Sequence, residues 1–315
     1  MTSVLVVGSR GSGLTTFVGL LYTAQVRLAT EVGGTFRFHA DRESLRQLDS
    51  LYADLGSGQF PRRDVDWERH SLGFRLGFRS RPWPLPFRRR RGDEGGDGSV
   101  RVRVGGIDIE EAAQLREENA ILGESMRRVL DCQIVIALLD MSRLPSRDDE
   151  PASPLQLEED AQLAATFDLA GTFRAVDPVP KARTLYPIFV LTKLDRCPGA
   201  RVARWGAPTT AFPRWTLEER DRVGRGLLES HWPAVHRWLA TRGGKSALSV
   251  APARWFGSSV RLEPSGDGGL RIARRSRAPL GSWEPEYPYE EYRGLLEHLG
   301  RLGERLPSRE ERPDV

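Results

Sequence analysis

The sequence predicts an α/β fold in three layers: a mostly parallel sheet, helices on both faces, and one antiparallel hairpin at the edge. Three observations predict it. Short apolar runs recur at residues 4–7 (VLVV), within 131–140 (DCQIVIALLD) and at 186–191 (YPIFVL). Runs this short and uniform suit strands buried on both faces. Helical periodicity stands between the runs, as parallel connections require. Two alternating segments, residues 71–78 and 100–104, precede the second run and suit a hairpin. The 315 residues are read as one elaborated domain, residues 1–303, with an insertion at 79–99 and a disordered tail at 304–315.

The first strand runs into a glycine-punctuated turn, Gly8 to Gly13, and then into a helix with Phe17, Leu21, Ala24 and Leu28 on one face. The segment VLVVGSRGSGLTT matches the phosphate-loop pattern G-x-x-x-x-G-K-[ST] at Gly8, Gly13 and Thr15. Leu14 stands where that pattern has lysine. Glycines let backbone N–H groups approach phosphate oxygens, and the helix points its positive end at the same place. Neither effect needs the lysine. The lysine adds a charge-assisted bond of about 1.5–3 kcal/mol, acting where the terminal phosphate is transferred. Binding is therefore expected to survive weakened, and hydrolysis to suffer more. The phosphate candidates are Gly8, Ser9, Arg10, Gly11, Ser12, Gly13, Leu14, Thr15 and Thr16. A magnesium ion accompanying the phosphates belongs at the Thr15 hydroxyl.

The insertion, residues 79–99, has a proline-rich aromatic front, four consecutive arginines (Arg88, Arg89, Arg90, Arg91) and an acidic glycine tail. It is expected to be a solvated, disordered loop. The alternative is contact with an anionic partner or surface through Arg88 to Arg91. No reading helix or stacking pattern accompanies the arginines, so specific nucleic-acid recognition is not expected. The run at 131–140 is a buried central strand. Residues 217–239 read as a helix kinked at Pro233, with Trp232, Val235, Trp238 and Leu239 in the core. Residues 260–272 read as a hairpin turning at 265–269. Residues 283–289 (WEPEYPY) read as a rigid connector. Tyr292, Leu295, Leu296, Leu299 and Leu302 mark a last amphipathic helix.

The strand at 186–191 runs straight into Thr192, Lys193, Leu194 and Asp195. This resembles the guanine-specificity motif [NT]-K-x-D of GTPases. In that motif the aspartate accepts hydrogen bonds from guanine N1 and N2, which adenine cannot offer, and the lysine stem lies along the base. The chain has only three lysines, Lys181, Lys193 and Lys245, and one of them falls at the motif position. By order, residues 255–259 (WFGSS) supply the last base-contacting loop, with a backbone N–H from Ser258 or Ser259 reaching the base oxygen.

With these motifs in order, the chain resembles the bacterial double-GTPase domain proteins, second type, within the Ras-like P-loop GTPases. The carriers are VLVVGSRGSGLTTFVGLLY, LRQLDSLYADLGSGQFP, DCQIVIALLDMSRL and YPIFVLTKLD. The resemblance implies a P-loop GTPase-like fold over most of residues 1–303, guanine nucleotide (GTP or GDP) as ligand, and work beside a second GTPase in a bacterial signalling or conflict system. The departures cluster at the γ-phosphate end. Leu14 replaces the lysine, and Asp64 stands near the place of the switch threonine. Residues 105–111 (GGIDIEE) lack a clean D-x-x-G, and Arg10 crowds the position near the attacking water. The pattern implies a pseudo-GTPase with no catalytic residue of its own, serving as a regulatory or scaffolding partner. Two alternatives stand beside it. One is an active switch whose cation comes from Arg10 or a partner's arginine; the other is a non-binding interaction module that keeps only the fold.

Composition excludes other classes. The two cysteines, Cys132 and Cys197, give no disulfide framework or metal cluster and suit a reducing cytoplasm. His231 and His236 are not at ligand spacing. No run is long enough to span a bilayer, and the apolar start has no basic leader in front of it. A net charge of +4 on this length is weak support for nucleic acid as a partner.

Overall fold

The computed structural model of the protein describes residues 2–9, 11–31, 36–40, 42–61, 72–78, 98–104, 132–145, 151–177, 183–197, 216–242, 248–266, 268–277 and 282–306. In chain order these form β1 (Thr2–Val7), α1 (Leu14–Glu31), β2 (Phe36–Ala40), α2 (Arg42–Ser57), β3 (Leu72–Phe78), β4 (Gly98–Val104) and β5 (Ile134–Asp140). A 3₁₀ turn (Met141–Arg143), α3 (Pro154–Ala175), β6 (Thr184–Thr192) and a second 3₁₀ turn (Leu194–Arg196) follow. The chain continues through α4 (Leu217–His231), α5 (Pro233–Arg242), β7 (Ser249–Val250) and β8 (Arg254–Gly257). It closes with β9 (Leu262–Pro264), β10 (Leu270–Ile272), β11 (Arg274–Arg277), β12 (Ser282–Pro285) and α6 (Tyr289–Arg305).

The main sheet has the order β2-β3-β4-β1-β5-β6, and β7 and β8 both pair with the outer edge of β6. Every pairing from β4 outward to β8 is parallel, while β2 with β3 and β3 with β4 are antiparallel. The fold is thus the predicted three-layer α/β arrangement. The alternation of side chains along each strand explains the layers. Val4, Val6, Ile134, Ile136, Leu138, Ile188 and Val190 face a core completed by α1, α2 and α6. Leu5, Val7, Val135, Ala137, Leu139, Phe189 and Leu191 face a second core completed by α3, α4 and α5. All seven residues of β5 are buried, as a central parallel strand demands.

Local chemistry places the helices. Ser153 caps α3 by accepting from the Gln156 N–H at 3.2 Å, with Pro154 at the first helical position. Thr216 and Glu219 form a reciprocal capping box at the start of α4. The expected kink at Pro233 is a complete break: α4 ends at His231, Trp232 is fully buried between the helices, and α5 starts afresh. The Asp160 carboxylate on α3 accepts from Ala234 and Val235 N–H at 2.8 and 3.0 Å, and so replaces the capping that a continuous helix would not need.

Four expectations are adjusted. The antiparallel edge has three strands rather than two, because β2 pairs with β3. The insertion is shorter than 79–99, since Gly98 and Ser99 already pair with Phe78 and Gly77. Half of the 283–289 connector is strand, with Trp283 opposite Ser276. The last helix runs through Arg305 and Leu306 is buried, so order extends past residue 303.

Candidate functional site

The carboxyl ends of β1, β5, β6 and β8 lie along one edge of the sheet. Val7 stands beside Ala137, Asp140 beside Thr192, and Leu191 beside Gly257. β1 has β4 on one side and β5 on the other, so the chain leaves it in opposite directions. The crevice outside such a reversal is where open α/β sheets take ligands.

Residues 8–16 cross that edge. Gly11 and Gly13 have φ of 80° and 88°, the left-handed region that glycine enters without cost. The Ser12 N–H donates to the Ser9 carbonyl at 2.9 Å, and the first bond of α1 runs from Phe17 N–H to Gly13 at 2.8 Å. The N–H groups of Gly13, Leu14 and Thr16 hydrogen-bond to no other described residue. They lie at the positive end of an 18-residue helix. Thr15 and Thr16 are half-buried in its first turn. A side chain on Gly8 would begin 2.4 Å from Ser12 Oγ and 3.2 Å from Leu138 Cβ, so it would fit only if Ser12 turned away and Leu138 gave way. Leu14 is 8 % exposed and belongs to the core with Val4, Phe17 and Leu138. Position 14 is therefore an apolar core position.

The second motif is tied directly to this loop. The Thr192 hydroxyl lies 2.7 Å from the Ser12 carbonyl oxygen and 3.1 Å from that of Leu139, and donates to one at a time. Thr192 is thus a buried brace across 180 residues of sequence. Lys193 has φ 53°, a left-handed conformation that costs a non-glycine residue about 1–2 kcal/mol. Its Nζ donates to Asp140 Oδ2 at 2.7 Å. Asp195 sits in the following turn. Burial raises the pKa of its carboxyl, while its own N–H, the Val260 N–H and Arg196 act in the opposite sense.

The loop after β8 divides the roles of its two serines. The Ser258 N–H donates to Leu191 at 2.8 Å, its carbonyl accepts from Leu194, and its hydroxyl is 2.6 Å from the Tyr292 hydroxyl. The N–H, the carbonyl and the hydroxyl of Ser258 are therefore all engaged within the fold. Ser259 is half-buried, and its N–H bonds to no other described residue. The Glu291 carboxylate holds the loop from below, accepting from Gly257 N–H at 3.1 Å and from both terminal nitrogens of Arg220 at 2.7 Å.

Four groups not singled out from the sequence stand at the same edge: Asp140, Ser142, Arg143 and Glu159. Asp140 accepts from the Ser142 N–H and hydroxyl at 3.0 and 2.6 Å, which closes the 3₁₀ turn after β5. The turn aims Arg143 at the glycine loop. Arg143 Nη1 donates to Ser9 Oγ at 3.0 Å, and Nε lies 3.3 Å from Asp140 Oδ2. The Ser9 hydroxyl donates to Glu159 Oε1 at 3.0 Å. Glu159 on α3 has no exposed surface, and burial pushes its carboxyl up to about 7 against the pull of Arg143 and Ser9. The one signal for this group was the aspartate closing an apolar run, a carboxylate at the mouth of a central strand.

Arg10, Asp64, residues 105–111, Arg88 to Arg91 and residues 307–315 lie outside the described residues. Among the described residues, no group of three or more acidic, cysteine or histidine side chains has the arrangement of a metal site. Cys132 and Cys197 are free and buried. No described helix is long and apolar enough to cross a membrane. No protein-family model matches the chain, and no curated protein matches it.

Proposed function

We propose that the protein binds a guanine nucleotide, GDP or GTP, along this sheet edge. On this reading it hydrolyses GTP slowly or not at all, and works in the cytoplasm as a regulatory or scaffolding partner of a second GTPase. The observation that carries the reading is the tie between Thr192 and Ser12. One hydroxyl fixes the glycine loop against the segment containing Lys193 and Asp195, so phosphate-type and base-type features share one edge. The Gly13, Leu14 and Thr16 N–H groups suit phosphate oxygens. Asp195 suits the two donors of guanine, and the Ser259 N–H suits its oxygen. Thr15, in the first turn of α1, is the position for a magnesium ion bound with the phosphates. The partner and its system rest on the family resemblance alone.

The test has two parts. Nucleotide released from the purified, denatured protein should be guanine-based. Calorimetry should give tighter GDP than ADP binding, and Asp195→Ala should abolish the difference, a loss of about 1.5–3 kcal/mol for bonds to a charged acceptor. Equal affinities for GDP and ADP in the parent protein would refute the guanine assignment.

A second reading, an active GTPase switch, is favoured by one observation. A half-buried arginine, Arg143, already touches the glycine loop, so the chain is not without a cation there.

A further inference from the structure

The groups around Ser9 carry an inference that rests on the nucleotide reading above and deepens it. We infer that Arg143 is the cation of the phosphate loop, supplying from the end of β5 the charge that Leu14 does not supply from the start of α1. The geometry is specific. The guanidinium donates to Ser9 Oγ at 3.0 Å, and its Nη2 lies 3.6 Å from the point where a side chain on Gly11 would begin. It therefore lies against the loop at both Ser9 and Gly11. Its side chain is 15 % exposed, so water screens its charge little.

Among the described residues, Arg143 shares its nearest carboxylate with a second cation. Four ionisable groups face one another: Asp140 at the end of β5, Arg143 in the 3₁₀ turn, Glu159 on α3 and Lys193 after β6. Asp140 Oδ2 already receives Lys193 Nζ at 2.7 Å, as well as Arg143 Nε at 3.3 Å. Glu159 Oε2 is 3.7 Å from Arg143 Nη1, too far for a hydrogen bond, and burial favours its protonated form. Arginine stays charged throughout. Leu14 is then free to serve the core, because lysine there would duplicate a charge delivered through the other side of the loop.

The rival account is that Arg143 merely neutralises Asp140 and Glu159 and braces Ser9. The two accounts differ in what a diphosphate feels. Calorimetry on the full chain with GDP and GMP separates them. If Arg143 is the loop cation, Arg143→Gln weakens GDP by about 10- to 100-fold and GMP by much less, and Arg143→Lys recovers most of the loss. Glu159→Gln, which removes the competing carboxylate, tightens GDP binding at pH 8. An unchanged GDP affinity in Arg143→Gln overturns the inference, as does an equal loss for GDP and GMP with a lowered melting temperature. Should Arg143→Gln fail to fold, Glu159→Gln decides, and unchanged GDP affinity at pH 8 overturns it. A parent protein that binds neither ligand sinks the nucleotide reading itself, and this inference with it. A parent that binds GDP while both variants behave like it sinks the inference alone.

Discussion

Glu159 shows how one buried carboxyl makes stability depend on pH. Its folded pKa is pushed up to about 7 from an ordinary value near 4.5, chiefly by burial. Between those two values the folded chain holds a proton that the unfolded chain has released. Stability therefore falls as pH rises from about 4.5 to about 7 and is level above that, with a total span on the order of 3 kcal/mol. Glutamine is isosteric, keeps an acceptor for the Ser9 hydroxyl and cannot ionise. Glu159→Gln is therefore expected to raise the melting temperature at pH 8 and to change it little at pH 4.5. Thermal melts of both proteins across that range test this, and a variant less stable than the parent at pH 8 contradicts it. Ser258 teaches the opposite lesson at the same scale. A serine in the right place by order is occupied on its N–H, its carbonyl and its hydroxyl, whereas the Ser259 N–H bonds to no other described residue.

At the scale of elements, the sequence carries most of what the sheet needs. β1, β5 and β6 were legible because an uninterrupted apolar run is what a strand covered on both faces requires. α1 and α6 were legible because their buried residues recur at helical spacing. The break at Trp232 was visible only as a proline; that it is a break depends on Asp160, some 74 residues away in sequence, offering its carboxylate to the new helix start. Of the charged group beside the loop, only Asp140, closing an apolar run, left a signal. Arg143 and Glu159 meet Ser9 across 134 and 150 residues, and periodicity holds no information about such separations. The same limit hid the clamp under the last loop. Glu291 on α6 joins Arg220 on α4 to the Gly257 N–H of β8, so three elements meet at one carboxylate. Glu291→Ala leaves Arg220 without that partner in a largely buried site, a loss of about 3–5 kcal/mol. Chemical denaturation should register that loss. If nucleotide binds as proposed, the same variant should also weaken guanosine-containing ligands through Ser259, whereas a stability change below about 1 kcal/mol would mean that the clamp is solvated and weak.

For the whole molecule, the proposed reading separates holding a nucleotide from turning it over. A cation beside the loop stabilises bound phosphate, but transfer also needs a metal contact and a seated water. Single-turnover GTP cleavage by the isolated chain should therefore stay below about 10⁻² s⁻¹, the rate of a GTPase with its arginine built in. A faster rate would favour the active-switch reading, and its loss in Arg143→Gln would identify the cation responsible. The tie between Ser12 and Thr192 also bears on how the protein is made. At roughly 5–20 residues per second, the 180 residues between its ends take on the order of 10–40 s to synthesise. Until Thr192 has been made, the glycine loop lacks the strand that fixes it. The Glu291 clamp closes later still, since Glu291 follows Thr192 by 99 residues. If a guanine nucleotide binds as proposed, the nascent chain has no assembled site for it until Thr192 has been made and folded against Ser12, so bound nucleotide enters only after that point.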